Sequence, residues 1–310
     1  MMETYDQIIK HIDELVEFLK ANGIEAEFNS HLESDYLLAH EFYKKFKTHP
    51  NDKQDENGRA ALCGLSELYK WIWSVKDCAE FSKLNHHLKL LIQASPKINL
   101  VTPMISPVTH KQDDKTNKFV EAIVGMFAAK VGTNLDLDDP VRSSDGTNPD
   151  VLFDYLGDRV AFACKTLRGY SVKTIYSNLK SSAQQINRAD CSRGYIVINA
   201  MNILDHDKIR ENIYQDHISP RSVLWDEIHL KYLSLRKSEE EEVLELFGNH
   251  KVRPVILTFV HSVTRIKSPF GNLSTSLKST FATDLKVPGI DVQSDMQLLE
   301  SLNDFIHNRL

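Results

Sequence analysis

Four cysteines in 310 residues are too few, and too widely scattered, to build a scaffold. Cys63, Cys78, Cys164 and Cys191 show no Cys-x-x-Cys spacing, which argues against a disulfide framework and a structural zinc site and fits reduced thiols. No apolar run reaches the length needed to span a bilayer. The opening MMETYDQIIKHIDELVEF patterns as an acidic amphipathic helix rather than a secretory signal, so a cytoplasmic protein without membrane contact is expected. GxGxxG, GxxxxGK[ST], GxSxG and HExxH are all missing, which excludes the recognisable members of several enzyme classes. No internal repeat is visible.

An excess of positive charge is missing too. The net charge of −6 does not suit a protein that coats nucleic acid indiscriminately. Its distribution is uneven, however. Arg159 to Arg193 holds seven basic residues against one acid, about +6, leaving about −12 for the rest. Asp136 to Asp158 holds seven aspartates against Arg142 alone. An acidic segment running into a basic one suits a cation site beside a phosphate-binding surface, or else two neighbouring solvated faces.

Hydrophobic residues at 42% and charged residues at 26% are ample for a packed core. Residues 1–95 read as a helical region of about four helices. Its first helix stops at Gly23, and Ser30 with Glu33 opens the second in a capping-box pattern. Leu65, Leu68, Trp71 and Trp73 are expected in its core, and His86–His87 as a surface pair. The proline-bearing stretch 96–115 reads as a linker. Residues 116–310 change character. The pattern predicts a helix (NKFVEAIVGMFAAKVG), a short extended piece (LDLDDP), a loop (SSDGTN) and two strands, PDVLFDYL and RVAFACKTL, joined tightly at Leu156-Gly157-Asp158. A long amphipathic helix (SVKTIYSNLKSSAQQINRA) and a buried strand (GYIVINAMNI) follow. The succession implies an α/β sheet with a crossover, α+β overall: a central mixed sheet flanked by helices beside an N-terminal all-α region. Beyond it come one charged helix over 222–247, a strand (PVILTFVHSVTRI), a Ser/Thr/Gly-rich loop and a closing amphipathic helix.

The chemistry concentrates at NPDVLFDYLGDRVAFACK. Alternation sets Asp150, Leu152 and Asp154 on one face of the first strand, and Arg159, Ala161, Ala163 and Lys165 on one face of the second. A lysine on a face otherwise lined by small residues is costly to bury without a carboxylate or ligand, so Asp150 is its natural partner. A structural Asp150–Lys165 ion pair is the plain alternative.

This pattern resembles the PD-(D/E)xK nuclease superfamily, the restriction-endonuclease-like fold. Pro149-Asp150 matches the first half of its signature. Ala163-Cys164-Lys165 matches the second, with alanine in place of the acid. Glu121 stands where the family's preceding helix often carries a glutamate. Gln184 and Gln185 stand where its following helix carries a glutamine, Gln185 being favoured because it precedes the apolar Ile186. The likeness covers residues 116–200. It implies a Mg²⁺-dependent endonuclease acting on DNA (RNA not excluded), of a restriction or anti-phage kind. Mn²⁺ is the alternative cofactor, and a protein partner or second copy would engage the N-terminal helices. The implied ligands are Asp150, Glu121, the backbone carbonyl of Cys164 and, as a stand-in, Asp154. The implied catalytic set is Asp150, the position of Ala163, Lys165 and Gln185, and Arg168, Lys173, Lys180 and Arg188 would hold the DNA backbone. Ala163 leaves three accounts open: a Glu→Ala replacement silencing an active nuclease, which is the reading adopted; an acid that has moved to Asp154 or Glu121; or a nuclease fold that binds without cutting.

Overall fold

The computed structural model describes residues 4–25, 28, 30–48, 55–93, 118–139, 148–216, 218–248, 250–268 and 271–309. The stretch expected as a linker, 96–115, and nearly all of the SSDGTN loop lie outside the described residues.

Four helices come first: α1 (Tyr5–Ala21), α2 (His31–Thr48), α3 (Glu56–Val75) and α4 (Asn85–Gln93), the last entered through a 3-10 turn at Phe81–Leu84. The helix α5 (Lys118–Val131) is of another kind, with every residue from Phe119 to Ala129 buried. A helix apolar all round belongs at the centre of a fold. Accordingly, α5 is packed between α3, α4, the C-terminal helix α10 (Gln293–Ile306) and the sheet.

Among the described residues the sheet has seven strands. β1 (Thr133–Leu137), β2 (Val151–Tyr155) and β3 (Asp158–Thr166) form an antiparallel meander. The β2–β3 turn is Leu156-Gly157, φ +51° and +89°, and two positive values in succession match the strands' right-handed twist. The helix α6 (Val172–Arg188), capped by the Ser171 hydroxyl, carries the chain across to β4 (Arg193–Asn199), which lies parallel to β3. This is the predicted order of helix, three strands, helix and strand. β6 (Val252–Ser268) runs parallel to β4 along its first half and to the two-residue β5 (Ile213–Tyr214) near its end. β7 (Gly271–Asp284) covers the other edge of β6, antiparallel over its whole length.

Alternation along the strands divides the core cleanly. Val160, Phe162 and Cys164 of β3 face α5, the N-terminal helices and α10. Ala161 and Ala163 face α6 and the helices α8 (Ser219–Ser238) and α9 (Glu240–Phe247). The first core is continuous from Ile9 to Ile306. It is fastened by the Trp71 indole, which donates to the Ile306 carbonyl at 3.2 Å, and by an ion pair between Lys278 and Glu67. Leu65, Leu68 and Trp71 are buried and Trp73 is half-buried.

Two expectations for the C-terminal third need correction. The Ser/Thr/Gly-rich stretch read as a loop is the strand β7. Its residues carry little apolar signal, and a paired neighbour, β6, supplies the ladder that the sequence does not advertise. The single charged helix over 222–247 is two helices, broken at Glu239 (φ −127°, ψ 43°). The short helix α7 (His206–Glu211) and β5 were not foreseen.

Candidate active site

Pro149 decides the local geometry. The β2–β3 ladder runs from Tyr155↔Asp158 to Val151↔Phe162 and stops there. Continued, it would pair position 149 with Cys164, but proline has no N–H to exchange. The Cys164 carbonyl therefore gains no donor from position 149; the Cys164 amide donates to the Asp150 carboxylate at 2.6 Å, and the Asp150 carbonyl accepts from Asp138 on the β1 side. The N–H and C=O of one strand residue leave by the same edge, so the Cys164 carbonyl also faces the gap beside Asp150. The same register sets Asp150 opposite Ala163, and Lys165 follows two residues on, half-buried.

Glu121 reaches this point from α5. It is the only charged residue in the buried run Phe119–Ala129. Its carboxylate lies 2.9 Å from the Lys118 ammonium and 3.8 Å from Nε2 of His87. Burial pushes the Glu121 carboxyl up, with Lys118 and Lys165 opposing the shift. Burial, then the charge of Glu121, pushes Asp150 up to about 7, against Lys165, Lys118 and the Cys164 amide. Burial pulls at the Lys118 ammonium in the other direction, but Glu121, Asp150 and Asp138 outweigh it and raise it. Two buried carboxylates thus lie within electrostatic reach of each other and of two lysines.

His87 and Lys118 were missed by the sequence reading. Of the expected surface pair, His86 is exposed, but His87 is only 1% exposed. Neighbouring helix residues point 100° apart, so the pair could not share one environment. Burial and then Lys118 lower the His87 imidazole to about 4, and neither ring nitrogen has a hydrogen-bond partner among the described residues. The available signal for Lys118 was its place one helical turn before Glu121.

Gln185 is buried and Gln184 exposed. The Gln185 amide donates to the Asn148 carbonyl at 2.8 Å, so it holds the loop that carries Pro149-Asp150. It makes no hydrogen bond to either carboxylate among the described residues.

Asp154 does not belong to this site. It sits four residues along β2, roughly 13 Å at the rise of a strand, beside the hairpin turn. There it accepts from Asn134 at 2.5 Å and Arg159 at 3.1 Å, and the Asn134 bond holds its carboxyl below the usual range. The expectation that it could replace the missing acid is corrected: its face was right, but its depth along the strand was not. Lys173, Lys180 and Arg188 are exposed on α6. Spacings of seven and eight put them on one stripe. Arg168 is half-buried in the loop before α6.

Asp150 and Glu121 offer the hard oxygen donors that a divalent cation of the magnesium type takes. Ala163, fully buried, offers none. Among the described residues no group of three or more His, Cys, Asp or Glu is placed to hold a metal. No helix among the described residues is long and apolar enough to cross a membrane. Set against family models, curated proteins and solved structures, the chain matches none.

Proposed function

We propose that the chain carries the site of a Mg²⁺-dependent DNA endonuclease of the PD-(D/E)xK kind with its second acid missing, so that as it stands it binds DNA without cutting it. One observation carries this reading. Asp150, whose carboxylate takes the Cys164 amide where the ladder stops, stands opposite Ala163 and near Lys165, within electrostatic reach of Glu121 from a separate helix. A structural ion pair would need only one of the two carboxylates.

In the active form, Asp150, Glu121 and the Cys164 carbonyl would hold the cation, Mn²⁺ serving in place of Mg²⁺. Bound there, the metal would supply a more acidic water and offset charge on the scissile phosphate. Lys165, the cationic side chain on Ala163's strand face, would stabilise negative charge developing on a phosphate oxygen. Gln185 would keep the Asp150 loop in register. Lys173, Lys180 and Arg188 would hold successive phosphates, with binding that weakens as salt rises. All four cysteines are free, which suits a reducing cytoplasm, where a restriction or anti-phage effector would act.

Ala163→Glu is the test. The variant is expected to nick supercoiled plasmid with Mg²⁺ and not with EDTA, and Lys165→Ala added to it should remove that activity. A folded Ala163→Glu protein that leaves plasmid intact with both Mg²⁺ and Mn²⁺ overturns the nuclease reading.

One observation favours a second reading, a nuclease fold kept purely for binding. The Lys118 ammonium, 2.9 Å from Glu121, already pairs with that carboxylate without a metal. In that case the unaltered chain should retard duplex DNA, Lys173→Glu with Lys180→Glu should abolish the retardation, and Ala163→Glu should add nothing to it.

A further inference from the structure

Nine large hydrophobic side chains among the described residues are exposed, and four of them, Ile218, Val223, Leu230 and Leu233, lie on α8 or immediately before it. The helix is apolar on two sides. Leu224, Ile228, Tyr232 and Leu235 are buried against the rest of the molecule. Val223, Leu230 and Leu233 are 38%, 62% and 51% exposed on the other side. Spacings of seven and three put these three on one stripe, which Asp226 and Lys237 complete at the intervening and following positions. Asp226 and Lys237 are both exposed and make no ion pair among the described residues. A solvated helix face normally carries charge at such positions, and an exposed apolar row on a protein surface marks a contact.

The order of charges along the stripe selects the occupant. From Asp226 to Lys237 it reads acid, Leu, Leu, base from N-terminus to C-terminus. Turned end for end, the same row reads base, Leu, Leu, acid, its own complement. We infer that α8 is the seam of a homodimer, in which it packs antiparallel on α8 of a second copy about a two-fold axis. In one register Asp226 faces Lys237 of the second copy, Leu230 faces its Leu233, and both pairs recur by symmetry. A two-fold interface requires this self-complementarity. A parallel arrangement would set Asp226 against Asp226 and Lys237 against Lys237. The eleven helical steps from Asp226 to Lys237 span about 16 Å at 1.5 Å per residue, so both ion pairs and the leucine contacts fit along one straight helix.

Sedimentation equilibrium of the full chain tests this independently of any catalytic role. A dimer mass is expected at micromolar concentration. Leu230→Asp, at an exposed position, should give a monomer with unchanged circular dichroism. Asp226→Lys and Lys237→Asp should each give a monomer, since each sets like charges together twice, and the two combined should restore the dimer. A monomeric parent protein overturns the inference. So does a dimer that survives Leu230→Asp, or a double charge reversal that remains monomeric.

Discussion

The Lys118 ammonium sits 2.9 Å from the carboxylate of Glu121, one turn away on α5, with Asp150 and Asp138 in electrostatic reach. The divalent cation proposed above would have to compete with this lysine for the two buried carboxylates.

Lys118→Met should therefore have two opposite effects. Without divalent cations it leaves Glu121 buried beside an apolar side chain, and removing one partner of a buried pair costs about 3–5 kcal/mol. With Mg²⁺ present, the variant should recover stability, because the ammonium no longer competes for the carboxylates. Thermal melts of parent and variant with and without MgCl₂ measure both effects. An equal Mg²⁺-induced shift in the two proteins would contradict the competition.

Asp150 makes stability depend on pH. Its carboxyl, near 3.8 in an unfolded chain, is pushed up to about 7 in the folded protein. Between those values the folded state keeps a proton that the unfolded state has shed. Its contribution is present in full below about pH 4 and is lost as pH rises toward 7, by up to about 1.4 kcal/mol per unit. Asp150→Asn retains an acceptor for the Cys164 amide but does not titrate. Relative to the parent, the variant should gain stability steadily from pH 4 to 7 in urea unfolding without metal. A constant difference across that range would mean that Asp150 is not held neutral.

Gly194 lies where α6 crosses the sheet. A Cβ there would fall 2.4 Å from a methyl of Ile186, the residue after Gln185. Gly194→Ala should cost about 1–3 kcal/mol through overpacking. By pushing on α6 it should also reduce any plasmid nicking by the Ala163→Glu protein. Denaturant midpoints and nicking rates would show both effects.

Asp295 joins the closing helix to the sheet. Fully buried, it accepts from the Tyr195 hydroxyl and from Arg253, each at 2.7 Å, with Arg193 at 3.8 Å. Asp295→Ala strands these donors and should destabilise by about 3–5 kcal/mol. Arg253 lies only 14% exposed at its side chain, so solvent can repair little of that loss. Chemical denaturation gives the value directly.

Much of the candidate site was legible in the sequence because its grammar is local. Pro149-Asp150 opens a strand, Leu156-Gly157 turns a hairpin, and alternation puts Ala163 and Lys165 on one face. Each follows from residues within a few positions of one another. Gln185 could be preferred to Gln184 because it directly precedes the apolar Ile186.

What lay beyond the sequence was depth and convergence. Alternation gave Asp154 the same face as Asp150, but the distance between them along β2 set it beside Asn134 and Arg159 instead. The β7 strand shows little apolar pattern of its own, and only the long edge of β6 makes it a strand.

The sequence by itself determined the run of elements from α5 to β4, the turn at Leu156-Gly157 and the shared face of Ala163 and Lys165, because periodicity and turn chemistry act over neighbouring residues. Only the tertiary structure decided that His87 and Lys118 meet Glu121 and Asp150. Those four side chains are separated by as many as 63 positions and come together because α4 packs against the wholly buried α5. Burial, which no local pattern encodes, is also what makes their charges interact strongly.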